Sequence, residues 1–256
     1  MFVATSPAAV ARPHRQLRVE LAQSPSEVRA AQRLRYRVFA EEMGAEVKGR
    51  EPGLDEDFFD PWCEHLIVSD SITGEVVGTY RILTADRARQ LGTFYSDTEF
   101  DLTRLCMLRP RMVEIGRACV DARYRSGPAI MLLWQGLAQF MRERSYEYLI
   151  GCASVSMQDG GINAQQVFQH VRQRHLAPIE YRVFPRHRLS PRDENVPAAG
   201  GAPVRTPSLL KGYLRLGAWI GGEPAWDPDF NTADLFVFLP VARVEPRYAR
   251  HYLGAS

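Results

Sequence analysis

Several familiar signatures are missing from this chain, and each absence removes a class of function. There is no GxSxG turn, which argues against a hydrolase. Four cysteines (Cys63, Cys106, Cys119, Cys152) are scattered with no zinc-ligand spacing, so reduced, buried structural thiols are expected and a metal site is not. His65, His170 and His175 stand at no spacing that makes a triad or a metal cluster, and read as structural or surface residues. No apolar run approaches the roughly 20 residues of a membrane span. Residues 1–15 lack a continuous apolar stretch and read as a disordered arm rather than a signal peptide. Net charge is only +2, too little to point to nucleic acid. No internal repeat is evident. The expected location is the cytoplasm, with room for contact at the inner-membrane surface.

What is present is the composition of one ordinary core: 45% hydrophobic and 24% charged residues over 256 positions. Residues 17–21 alternate as a half-buried strand does. Ser24, Pro25 and Glu27 spell a capping box, opening a helix expected to run to about Met43 and stop at Gly44. An acid-rich loop follows to residue 63. Strands are expected at 65–69 and 76–83, joined by a turn at 71–74, with short helices at 85–90 and 99–105. Then come a strand at 111–120, a loop at 121–127, a helix at 128–144, a strand at 148–152 and a helix at 163–175. Residues 182–206, rich in Pro and Arg, read as an irregular excursion, followed by a helix at 209–216 and a strand at 235–239. The expectation is a single α/β (α+β) domain over 16–256, with one mixed central sheet and helices on both faces.

That order matches the acetyltransferase-like (GNAT) fold. The runs Leu34-Arg35-Tyr36-Arg37-Val38-Phe39, Gly78-Thr79-Tyr80-Arg81-Ile82-Leu83 and Val113-Glu114-Ile115-Gly116-Arg117, with Asp57 and Asp60, resemble one branch of it. That branch holds the acyl-homoserine-lactone synthases and the ornithine Nα-acyltransferases of ornithine-lipid synthesis. The segments Ile150-Gly151-Cys152-Ala153-Ser154, Leu209 to Gly217 and Asp229 to Asp234 look like the ornithine enzymes. The Trp that lactone synthases usually carry a few residues after the helix Phe has no counterpart near Ala45. The resemblance implies transfer of a (3-hydroxy)fatty acyl group from acyl carrier protein to the α-amine of ornithine, giving lyso-ornithine lipid. It also implies direct attack on the thioester, with no metal, no bound cofactor and no acyl-enzyme. An N-acyl amino acid synthase for another amine and a lactone synthase remain as alternatives. So does a non-catalytic module binding a carrier protein or lipid.

Amide formation from a thioester needs a neutral amine, a stabilised oxyanion and a departing thiolate. Glu114, on the central strand, is the candidate base. Arg117 joins it only if the strand is distorted, because regular alternation sends residues three apart to opposite faces; Gly116 permits a bulge. Asp57 and Asp60 are expected to work with Arg35, Arg37 and Arg81, holding the substrate loop or clamping the amino acid's carboxylate, and the same acidic loop is the natural partner for an ornithine ammonium. Phe39 is a candidate substrate contact as well as a candidate core residue. On the donor side, Arg123, Arg125, Ser126 and Gly127 precede the helix opened by Pro128. This turn has a single glycine, fewer than coenzyme A cradles carry, which favours a phosphopantetheine arm. Arg123, Arg125, Arg142, Arg144, Arg172, Arg174, Arg182, Arg186 and Arg188 are read as a docking surface for an acidic carrier protein. The stretch from Leu209 to Arg215 suits an interfacial helix or a packed one.

Overall fold

The computed structural model describes residues 16–47, 49–125, 128–189 and 204–244. The arm at 1–15 therefore lies outside the described residues, as does the middle of the Pro/Arg-rich excursion.

Strand β1 (Leu17–Leu21) leads into α1 (Pro25–Tyr36). The capping box forms as read: Ser24 accepts from the Glu27 amide and the Glu27 carboxylate accepts from the Ser24 amide. The expected length to Met43 is reached, but the last stretch, Arg37–Glu42, is π-helical. Next come β2 (Glu64–Asp70), β3 (Val76–Thr84), α2 (Ala85–Leu91), α3 (Ser96–Glu99) and β4 (Phe100–Asp101). The chain continues through β5 (Met112–Val120), α4 (Ala129–Glu143), β6 (Tyr148–Ser156), α5 (Ile162–His175) and β7 (Phe184–Pro185). It finishes with α6 (Ser208–Arg215), β8 (Trp219–Ile220), β9 (Ala225–Asp227) and β10 (Thr232–Pro240).

The main sheet runs β1-β2-β3-β5-β6-β10-β8, with β9 on β10. Every neighbouring pair is antiparallel except β5 and β6, which are parallel. Side chains alternate as a two-faced sheet requires. Tyr80, Ile82, Val113 and Ile115 pack with Leu133, Leu137 and Leu210 of the α4–α6 layer. On the other face α1 covers Ile67, Val76 and Cys119. Beside it, Phe94, Phe100, Leu102 and Leu105 cover Leu83, Met112, Phe236 and Phe238. Burying one such side chain is worth about 1.5–3 kcal/mol, so the helix layers are held chiefly by these apolar contacts.

Two irregularities open the centre of the sheet. The β5–β6 ladder ends after Glu114↔Ile150. At that point Gly151 lies so close to β5 that a Cβ would stand 2.3 Å from the Ile115 carbonyl oxygen. Beyond it no ladder pair joins the two strands. On its other side β5 carries a bulge: Thr79 pairs with Cys119 and Arg81 with Gly116, so Tyr80 alone faces both Arg117 and Ala118.

Three expectations need correction. The helix placed at 99–105 is instead α3, then β4, then a 3₁₀ segment at Thr103–Arg111, because Phe100 and Leu102 turn into the core. The first part of the excursion is tied down: β7 pairs with β4, the Arg186 guanidinium donates to the Asp97 carbonyl, and Arg188 bridges to Ala225. Cys106 is exposed rather than buried, while Cys119 is buried and Cys63 and Cys152 half-buried.

Candidate active site

A cavity of about 790 Å³ occupies the gap where β5 and β6 part. Its walls come from both faces of the sheet: Tyr80, Ile115 and Trp134 from the α4–α6 side, Arg81, Glu114 and Cys152 from the other.

The bulge brings Glu114 and Arg117 to the same cavity. Its left-handed residue is Arg117 itself, at φ +48°, and not Gly116. Such a backbone costs a non-glycine residue about 1–2 kcal/mol, and the Arg117 side chain is held by strong partners. Its Nη2 donates to Asp57 at 3.0 Å, and its guanidinium lies 4.4 Å from the Phe230 ring centre. Its Nε is buried without a hydrogen bond, 3.3 Å from an Asp55 oxygen. Glu114 is 4% exposed. Its carboxylate accepts from the Tyr95 amide (2.6 Å), the Ser96 amide (2.7 Å) and the Ser96 hydroxyl (2.5 Å), which opens α3. Burial pushes the Glu114 carboxyl above its usual range, against the pull of those three donors. Three donors leave room on four lone-pair sites.

The acidic loop is met by arginines, as read, but in one closed network. Arg35 is fully buried, with Nε 2.9 Å from Asp55 and both terminal nitrogens on Asp60, at 2.7 and 2.8 Å. Arg81 reaches Asp57 at 2.5 Å and Asp60 at 3.3 Å. Burial alone would raise the Asp60 carboxyl, yet Arg35 and Arg81 hold it well below the usual carboxylate range. Of these residues Arg81 and Arg117 line the cavity; Arg35, Asp57 and Asp60 lie outside its lining. Arg37 does not join them. Two residues along a helix is a rotation of about 200°, and Arg37 faces Asp121 at 3.7 Å instead.

Two carboxylates that the sequence reading did not single out line the cavity as well. Asp227 of β9 and Asp234 of β10 are 6% and 2% exposed. Asp234 accepts from the Thr232 hydroxyl at 3.0 Å, and burial, with the Asp227 charge adding, pushes it up to about 6. Asp227 accepts from the Phe230 amide at 3.1 Å and the Tyr95 hydroxyl at 3.3 Å. Burial and these two acids push Glu99 up to about 7. Among the described residues neither Asp227 nor Asp234 has a cationic partner within ion-pair distance. Both fall in or beside the segment 229–234 that resembles the ornithine enzymes, but only the hairpin register brings them to one place.

The opposite arm of the cavity is apolar, walled by Ile130, Met131, Leu209 and Trp134. One face of α6 is packed against the core, with Leu210 and Tyr213 buried, so the packed reading of that helix holds for those residues. Phe39 lines the cavity and meets Phe230 edge-on at 6.1 Å. At the donor turn, Arg125 lines the cavity, donates to the Val120 carbonyl at 2.9 Å and pairs with Glu42. Arg123 pairs with Asp121 and Glu75. Ser126 and Gly127 lie outside the described residues. The arginines read as one docking surface are separated: α4, 15 residues and so about 22 Å long, stands between Arg123 and Arg125 at one end and Arg142 and Arg144 at the other. The thiols at the cavity are poor nucleophiles, since burial pushes Cys63 up to about 12 and Cys152 well above its ordinary value.

Residues 34–135 match the family model described as Acetyltransferase (GNAT) domain. The chain is 39% identical to an L-ornithine N(alpha)-acyltransferase of Brucella abortus, over 92% of this chain and 88% of that protein. It is 36% identical to one of Rhodobacter capsulatus, over 91% and 93%. Among solved structures it is similar to the AHL synthase LasI, at TM-score 0.53 and 11% identity, over 94% of this chain and 96% of that one. It is also similar to FeeM, an N-acyl amino acid synthase from uncultured soil microbes, at TM-score 0.51 and 14% identity, over 93% and 97%.

Proposed function

The chain belongs to the L-ornithine Nα-acyltransferase family, and on that premise we propose that it acylates the α-amine of ornithine by direct attack on an acyl thioester in the cavity between β5 and β6. The observation that carries this reading is that one cavity opens to both faces of the sheet. An amine entering beside Glu114 and Arg117 and an acyl chain lying along α4 and α6 then meet at the strand gap.

Each part of ornithine has a chemical complement. Arg117, with its Nε lacking a hydrogen bond, takes the α-carboxylate. The Asp227–Asp234 pair takes the side-chain ammonium, because two adjacent buried carboxylates gain most from a cation between them. Glu114 then receives a proton from the α-ammonium, its burial-raised affinity for protons suiting it to that step. The freed nitrogen attacks the thioester carbon, and as the tetrahedral intermediate collapses the C–S bond breaks and the nitrogen's surplus proton passes to the departing sulfur, so that the amide forms and the carrier leaves as a thiol. The protonated state of Cys63 and Cys152 supports attack without an acyl-enzyme.

The donor in this reading is an acyl carrier protein, supported by the single glycine in the sequence just before α4 and by Arg125 at the cavity. The product, lyso-ornithine lipid, is amphiphilic, so it is released at the inner-membrane surface. No helix among the described residues is long and apolar enough to cross a membrane. The test is to supply the same acyl group on carrier protein and on coenzyme A, with ornithine, and to locate the acyl group by tandem mass spectrometry. Acylation of the α-nitrogen, faster from the carrier protein, is expected. Acylation of the δ-nitrogen overturns the substrate orientation, and an equal rate from coenzyme A overturns the donor assignment.

A further inference from the structure

On the face of the sheet opposite α4 and α6, several large apolar side chains stand in the open. The 3₁₀ segment Thr103–Arg111 repeats every three residues, so Leu105 and Leu108 turn toward the core while Arg104 and Met107 turn out together. Met107 is 82% exposed. Arg104 ties two further residues to it: its Nη1 donates to the Ile179 carbonyl at 2.7 Å, and its guanidinium lies 4.9 Å from the Phe184 ring centre. Ile179 and Phe184 are 66% and 45% exposed. From Phe184 the chain runs through the exposed Arg186 and Arg188 to β9, where the Trp226 amide donates to the His187 carbonyl at 2.9 Å. Trp226 is 43% exposed. Its neighbour Asp227, turned the other way by strand alternation, lines the cavity.

An exposed apolar residue standing alone is ordinary. These four form one band, joined by Arg104 at one end and by the contact with β9 at the other, and the core beneath them is already closed by Phe100, Leu105 and Val183. The band is chiefly basic: Arg104, Arg186 and Arg188 stand along it, and the acids beside them are Asp101 and Glu180. Apolar tips with arginines between them suit the interface of a bilayer with anionic headgroups, where the tips enter the acyl boundary and the guanidinium forks meet phosphates. A tryptophan at the edge of the band suits the same depth, with an apolar ring and a polar N–H. An acidic carrier protein is a poorer fit. Arg125, at the donor side of the cavity, lies beyond the end of β5, whereas the 3₁₀ segment lies before its start. The nine residues of that strand span about 30 Å.

We propose that this band is the face by which the protein docks on a bilayer carrying anionic headgroups. The inference rests on the acyltransferase reading for its purpose, since an amphiphilic product needs such a surface, but its measurement needs no turnover. It sets the bilayer against the ornithine side of the cavity, where Asp227 adjoins Trp226, and leaves α6 packed on the core.

Docking is measured by co-sedimentation of the full chain, without substrates, with vesicles of phosphatidylglycerol and phosphatidylcholine in equal parts and with phosphatidylcholine alone. Wild type is expected to bind the anionic vesicles about tenfold more tightly or better, and to lose affinity as salt rises. The double variant Met107→Glu, Ile179→Glu is expected to weaken that binding about tenfold or more. Its melting temperature and its kcat/KM with a soluble carrier thioester, in the absence of vesicles, should stay those of wild type. Ile72→Glu, at an exposed position on the β2–β3 turn, is the control and should bind as wild type does. A wild type that ignores vesicles, a double variant that binds like wild type, or an Ile72→Glu variant that loses as much overturns the proposal. So does a wild-type dimer that ignores vesicles and comes apart in the double variant, which would give the band to a second copy of the chain. Vesicle binding by a wild type that transfers no acyl group to ornithine would support the docking face and sink the acyltransferase reading alone.

Discussion

The Glu114 carboxylate has two tasks. It orders the start of α3 by accepting from Tyr95 and Ser96, and it stands at the cavity with a raised proton affinity. Glu114→Gln keeps one acceptor oxygen and removes the proposed base, so kcat is expected to fall about 100-fold or more. The assay is run well below a melting midpoint that also drops, since the new amide NH₂ opposes an N–H donor. Near-normal kcat would remove Glu114 from the chemistry. Asp234 is expected to act in binding. Below about pH 6 it is protonated and neutral, so KM for ornithine should rise as pH falls through that value, with Glu99 near 7 broadening the step. Asp234→Asn should raise KM on the order of tenfold or more and flatten the acid limb, measured by initial rates across pH. Of these residues Glu114 and Arg117 were named from the sequence by resemblance, and the bulge that brings both to the cavity was allowed for there, although it turns at Arg117 and not at Gly116. Asp227 and Asp234 were not legible, since their pairing depends on the β9–β10 register and on burial, neither of which shows in local spacing.

Strand and helix positions were recovered wherever periodicity ran long, as in α1, β3, β5 and α4. The pieces of two to four residues, β4, β7, β8, β9 and α3, escaped because so short a run carries no period. The feature that makes the site is likewise invisible in one strand alone: the β5–β6 gap begins at a contact between two strands, where Gly151 lies against the Ile115 carbonyl. Gly151→Ala places a methyl group where a backbone oxygen already sits. It is expected to cost about 1–3 kcal/mol in chemical denaturation and to lower kcat more than it changes KM for ornithine. A variant with wild-type stability and activity would show that the strands are not held this close.

Across the whole molecule, the network of Arg35, Arg81 and Arg117 with Asp55, Asp57 and Asp60 links the loop after α1 to the sheet and so backs the cavity wall. Removing one charge strands its buried partners, so Arg35→Ala is expected to cost about 3–5 kcal/mol by denaturant titration, and a loss under about 1 kcal/mol would contradict a tightly coupled network. The sign in pH follows from the lowered Asp60 value. Its contribution is full above the unfolded carboxylate range and is lost as pH falls through the folded one. With this wall in place, the proposed reading has ornithine recognised at both ends, and two-ended recognition would separate it from amino acids with neutral side chains. The decisive measurement is kcat/KM for carrier thiol release with ornithine and with norvaline, which has the same carbon skeleton without the side-chain ammonium. Ornithine is expected to be favoured about 100-fold or more, because norvaline would leave the Asp227–Asp234 carboxylates buried and unpaired. Equal rates with the two, or release independent of either, would contradict it.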